Sequence, residues 1–179
     1  ESYIQKYKHT KTDWGYNFTF GSLGFGQSKN ILFPKNKKSI STSDLTCTTT
    51  YINVTTNTKK TQCATDDITN SQRLKNMCRL HMVNVIYLIL DYAESGNFVA
   101  ANDEITKVID SIKKIIPADN KYFLDLCEDL GGQVKEALSS QEAYKKWGQH
   151  YLPSLAQAHL WQICNNFKDP GVQHYASKQ

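Results

Sequence analysis

Leu74-Lys-Asn-Met-Cys-Arg-Leu-His-Met-Val-Asn-Val-Ile-Tyr-Leu-Ile-Leu-Asp-Tyr92 is the stretch that decides the architecture. Leu74, Met77, Cys78, His81, Met82, Val85, Leu88, Ile89 and Tyr92 recur at three- and four-residue intervals, the spacing of one helix face. Asp66-Asp67 and Thr69-Asn70 just before it supply helix-start chemistry. The pattern predicts a buried amphipathic helix of about six turns. Its most apolar run, Val83 to Leu90, is interrupted by Asn84 and is far shorter than the roughly 18 to 20 residues that span a bilayer.

Downstream, the helical period persists. Glu94-Ser95-Gly96-Asn97 reads as a turn, and Phe98, Ala101, Ile105, Val108, Ile109, Ile112 and Ile116 mark a second helix stopped by Pro117. Asp119 is placed to cap a third, carrying Tyr122, Phe123, Leu126, Cys127 and Leu130, with a kink or break expected at Gly131-Gly132. Ser139 and Glu142 form a capping-box pattern for a helix through Tyr144, Trp147 and Tyr151, with a restart at Pro153. Asp169-Pro170-Gly171 is expected to end the regular structure.

Upstream, the period changes to two. Trp14, Tyr16, Phe18 and Phe20 alternate along one strand, and Ser28 to Phe33 reads as a second short strand before Pro34. Residues 39–70 hold eleven threonines, and Leu45 to Thr56 suits a long strand or a hairpin with Lys60 to Ala64 as partner. The fold class is therefore α+β, with an N-terminal antiparallel β-sandwich-like region, residues 1–66, followed by a C-terminal four-helix bundle-like region, residues 67–179.

Composition narrows the function classes. The chain has 179 residues, 40% of them hydrophobic and 21% charged, which excludes a disordered or collagen-like polymer. Its net charge of +4 divides into +6 over residues 1–62 and −2 over 63–179, but only Arg73 and Arg79 are arginine. Arginine is the side chain best suited to bidentate phosphate and base contacts, so nucleic acid is not expected as a partner. Cys47, Cys63, Cys78, Cys127 and Cys164 form no CxxC pair, an odd, scattered set that suits reduced thiols and a cytoplasmic location. The sequons at Asn17 and Asn53 make extracellular glycosylation the alternative.

No constellation builds a catalytic or metal centre. The glycines of 21–26 run into a strand pattern rather than the helix N-terminus a phosphate loop needs. Cys78 and His81 share the core stripe and are two ligands at most. Cys164 with His159 or His174 would suit a cysteine hydrolase, but His159 and Cys164 stand about 140° apart on a continuous helix. The adjacent pairs Asp103-Glu104 and Glu128-Asp129 read as solvated outward faces.

Trp147-Gly148-Gln-His150-Tyr151 and, further on, Cys164-Asn165-Asn166-Phe167-Lys168-Asp169-Pro170-Gly171 bound the densest information in the chain. This run, 147–171, resembles the C-terminal signature of the Vwaint domain of eukaryotic proteins that carry a von Willebrand factor type A module. Leu23-Gly24-Phe-Gly26-Gln27-Ser28-Lys29 is similar to the Gly-Gln-Ser segment of the β-domain that follows type A modules, and Tyr92-Ala-x-x-Gly96-x-Phe98-x-x-Ala101 resembles the family's helical hairpin. The resemblance implies a non-catalytic interaction or scaffold module, without cofactor or metal. Its expected partners are proteins, among them a type A module upstream in the same chain. What it transfers is a structural or partner-binding signature: Trp147, His150, Tyr151, Cys164, Asn165, Asn166, Phe167, Asp169 and Gly171.

Overall fold

A computed structural model describes residues 7–32, 46–64, 69–115 and 119–176. It combines strands in the first part with helices in the rest. Helix α1, Asn70–Glu94, begins where the sequence places it. Thr69 and Gln72 form a reciprocal capping box, the Thr69 side chain accepting from the Gln72 N–H and the Gln72 side chain from the Thr69 N–H. The Asp66-Asp67 pair lies outside the described residues. Helix α2, Phe98–Ile115, returns along α1, and its stop at Pro117 also lies outside them.

Helix α3, Lys121–Asp129, does not break at the paired glycines. It passes through one π-helical turn, Leu130–Val134, into a short α4, Lys135–Ala137. A widened turn gives up the regular ladder for one turn and keeps the chain helical. Helix α5, Gln141–Ala143, is capped by Ser140, whose side chain accepts the Ala143 N–H, one residue later than the capping-box pattern suggests. A second π-turn, Tyr144–Gly148, leads into α6, Gln149–Trp161. Pro153 lies inside α6 and does not restart it. The lost donor is outweighed by neighbours Tyr151, Leu152, Leu155 and Ala156, which are completely buried. Asp169-Pro170-Gly171 likewise opens a helix, α7, Pro170–Gln173, because proline at the first helical position costs no hydrogen bond.

The helices share one core. Met82, Val85, Ile86, Ile89 and Ala93 of α1 meet Ala101, Ile105, Val108 and Ile112 of α2, Phe123 and Leu126 of α3, and Leu152 and Leu155 of α6. Cys78 belongs to this core, but its stripe neighbour His81 is exposed.

The described strands form two separate antiparallel sheets of two strands each. β1, His9–Thr12, pairs with β2, Gly15–Phe18. Trp14 is therefore at the turn, 76% exposed, and not on the strand's buried face. A preceding strand of polar residues takes the pairing, and no alternation marks it in advance. Tyr7, Phe18 and Phe20 pack with Leu80, Val83 and Leu160, seating this hairpin on α1 and α6. Residues 28–32 form no strand, and Phe33 and Pro34 lie outside the described residues. β3, Cys47–Asn53, pairs over its full length with β4, Thr58–Ala64, as the hairpin expected there.

Gly148 marks a close approach between helical segments. A Cβ built there would lie 2.9 Å from the Ala137 carbonyl oxygen and 3.2 Å from the Tyr144 ring. Gly148→Ala is expected to destabilise the protein by about 1 to 3 kcal/mol through overpacking. Urea denaturation checks this, a wild-type midpoint in the variant being the contrary result.

Candidate functional site

The C-terminal signature folds around a buried carboxylate. Asp129, at the last position of α3, is 1% exposed, and α7 runs directly beside it. Its Oδ1 accepts the Gly171 N–H at 2.8 Å, and its Oδ2 lies 3.0 Å from His159 Nε2. The outward, solvated position that adjacency to Glu128 suggests is thus corrected. Helical neighbours point about 100° apart, so Glu128 remains exposed while Asp129 turns inward.

His159 is completely buried in α6, and its Nδ1 lies 2.8 Å from the Tyr175 hydroxyl. When Asp129 is ionised it can only accept, so Nε2 then carries the proton toward it and Nδ1 is open to the Tyr175 O–H. Both ring nitrogens are thereby engaged. Burial pushes Asp129 above its ordinary range, with the His159 and Gly171 bonds opposing that rise. Burial also pushes Tyr175 well up, helped by Tyr122 beside it.

A second carboxylate, Asp169, is 2% exposed and accepts the Tyr151 hydroxyl at 2.6 Å and the Asn165 amide at 3.3 Å. Burial, then the Asp169 bond, raises the Tyr151 hydroxyl far above its ordinary value. The Tyr151 ring lies between Trp147 and Phe167, at 5.3 and 5.1 Å between centroids. One turn before Asp129 on α3, Asp125 accepts from Lys121 at 2.9 Å and pairs with His174 at 2.7 Å. Burial raises Asp125, but the Lys121 and His174 bonds outweigh it and leave the carboxyl below its ordinary value.

Below this cluster lies Arg79 of α1, 1% exposed. Its guanidinium donates to the carbonyls of His159 at 2.7 Å, Leu160 at 3.3 Å and Asn30 at 2.9 Å, and to Asn76 Oδ1 at 3.1 Å. A cation on the final carbonyls of α6 complements the helix dipole. The chain then leaves α6 through Gln162 in the left-handed region, φ 53°, where Gln162 Oε1 accepts the Asn30 N–H at 2.8 Å and Nε2 donates to the Asn30 carbonyl at 2.9 Å.

The nine signature residues separate into three sets by burial. Tyr151, Asp169 and Gly171 are buried, Trp147 and Asn165 are half-buried, and His150, Cys164, Asn166 and Phe167 are exposed. Cys164 does not meet the imidazole of His159; its thiol donates to the Val172 carbonyl at 3.5 Å, and burial raises its pKa. His174 is spent on Asp125. Among the described residues no group of three or more His, Cys, Asp and Glu side chains is arranged to hold a metal ion. Sequence reasoning missed Asp125, Asp129, Arg79 and Tyr175. The i,i+4 spacing of Asp125 and Asp129, beside Tyr122 and Leu126, was the available signal.

Two outcomes follow from this geometry. A Cβ on Gly171 would overlap the Asp129 carboxylate. Gly171→Ala is therefore expected to cost about 1 to 3 kcal/mol and to expose the amides of 171–176 to hydrogen exchange. For pH, a depressed carboxyl contributes stability that is present above its unfolded pKa and is lost as pH falls through its folded value. Asp125 has that sign, whereas Asp129, raised, contributes with the opposite sign. Thermal melts on the acid side should show a shallower loss of Tm in Asp125→Asn than in wild type; a steeper loss would contradict the sign.

No curated protein and no solved structure gave a match. The segment that carries Asp125, both π-turns and the clasp formed by Asp129, His159 and Gly171, residues 120–179, matches the model of the Vwaint family, VWA / Hh protein intein-like, in agreement with the resemblance of its signature.

Proposed function

We propose that this chain serves as a non-catalytic protein–protein interaction and scaffold module within a larger von Willebrand factor type A protein, its helical part a four-helix bundle-like unit. The supporting observation is how the polar groups of the signature are spent. Asp129, His159, Tyr151 and Asp169 bond to one another and to the backbone of the C-terminal segment, inside the protein. Buried groups that satisfy each other rigidify a fold and specify one arrangement. The exposed signature residues His150, Asn166 and Phe167 then remain for contact with a partner. Five free thiols suit a reducing, cytoplasmic setting.

A second reading, a secreted or surface adhesion fragment, draws on the sequons. Asn17 is exposed on β2, and Asn53 stands at the end of β3 with its Oδ1 accepting the Thr55 and Thr56 N–H groups. A glycan mass increment on the native protein at either asparagine would favour it.

The test of the leading reading combines the chain with the type A module of its own parent protein. Calorimetric titration of the two purified parts is expected to give saturable binding, weakened by His150→Ala with Asn166→Ala while the melting temperature stays at the wild-type value. A parent protein without such a module, or titration without heat at high concentration, would overturn it. A cysteine-dependent hydrolase would instead show Cys164 reacting with a thiol reagent faster than exposed Cys47 and Cys63.

A further inference from the structure

The threonine-rich hairpin β3–β4 is built unlike the rest of the protein. Every residue of β3 except Asn53 is exposed, so water covers both faces of the strand. Among the described elements the hairpin packs substantially on none but itself. The β1–β2 hairpin, by contrast, rests on α1 and α6. A two-stranded sheet with both faces in water is marginally stable, and three or more strands are the usual remedy.

The two outer edges of the hairpin also differ. β4 carries Lys59 and Lys60 side by side, and charged side chains are the common protection of a strand edge. From Thr46 to Thr58 there is no charge, no proline and no glycine, only threonine, asparagine, Cys47, Tyr51, Ile52 and Val54. No described strand pairs with the outer edge of β3. Among the described residues, the outer edge of β3 thus offers a row of backbone donors and acceptors unblocked by charge, proline or glycine.

We propose that β3 is a self-association edge, where a second copy of this chain adds its own β3 antiparallel to form a four-stranded sheet β4–β3–β3–β4 about a two-fold axis. A second copy fits because an uncharged strand neither selects a charged partner nor repels itself. The lysines do not oppose the pairing. They lie on the two outer strands, three strand spacings apart, about 14 Å. That exceeds the Debye length of about 8 Å at physiological ionic strength. With Thr50 on the axis all seven residues overlap. Thr49 of each copy then faces Tyr51 of the other, and Thr48 faces Ile52, cross-strand pairs of β-branched and aromatic side chains that stabilise sheets. The interface is isologous, so it closes at two copies. It rests on the hairpin alone and stands apart from the family match at 120–179.

Light scattering on the eluting 179-residue chain, over a wide concentration range, tests it. The mass is expected to rise from 20.4 kDa toward twice that value with concentration. Thr50→Lys sets like charges face to face at the axis and is expected to move the midpoint at least tenfold higher while the far-UV spectrum stays unchanged. Thr61→Lys, on β4 opposite Thr50, is the control and is expected to leave the midpoint in place. A single-chain mass at every concentration would overturn the proposal, as would a dimer indifferent to Thr50→Lys, or one broken equally by both substitutions.

Discussion

Everything at the C-terminal end of this protein depends on one buried carboxylate. Removing an ionised aspartate from water costs several kcal/mol unless charge or hydrogen bonds meet it inside. Asp129 is met by His159 on one oxygen and by the Gly171 N–H on the other. Those two bonds join three pieces of chain that are remote in sequence: the end of α3, the last turns of α6 and the start of α7. The close fit of Gly171 to the carboxylate leaves no room for a side chain there. Asp-Pro-Gly is therefore a docking element as much as a turn: Asp169 reaches back to Tyr151, proline starts the helix, and glycine lets Asp129 cap it.

The same end of α6 is held from below. Arg79 places a guanidinium against its last carbonyls without a carboxylate partner among the described residues, so its charge is balanced by backbone dipoles. The Tyr7 hydroxyl donates to the Leu160 carbonyl at 3.3 Å, and the Gln27 amide to that of Tyr175 at 3.3 Å. The residues around the first hairpin are thus joined to the helices where the clasp closes. Gln162, in a backbone conformation that costs a non-glycine residue of order 1 kcal/mol or more, is held there by paired bonds to Asn30.

What was legible in the sequence follows from the range of the interactions. The α2 stripe repeats within one element, and the Thr69–Gln72 cap at the start of α1 closes over three residues, so local pattern sufficed there, whereas Met77, His81 and Leu88 of the expected α1 stripe are exposed. The β3–β4 hairpin was legible for the same reason, its strands being joined by a short turn. Asp129 was not, because the partner that makes its burial tolerable is thirty residues away in His159. Pro153 was read as a restart and the Gly131-Gly132 pair as a kink or break because propensity counts the lost hydrogen bond and not the packing around it. Within the signature, Tyr151, Asp169 and Gly171 proved to be internal and His150 and Asn166 external, a division that chain position alone does not contain.

The two π-turns show how such a clasp is accommodated. Each inserts a widened turn into a helix that continues on both sides. The first follows Asp129 directly, so the helix changes register only after the carboxylate has been positioned. The second ends on Gly148, against Ala137, and so sets the rotation with which α6 starts. That rotation carries Tyr151 inward to Asp169 and His159 inward to Asp129, eight residues apart on one face. The irregular turns and the buried polar pairs are thus a single device, in which helix register is adjusted until two remote carboxylates find their partners.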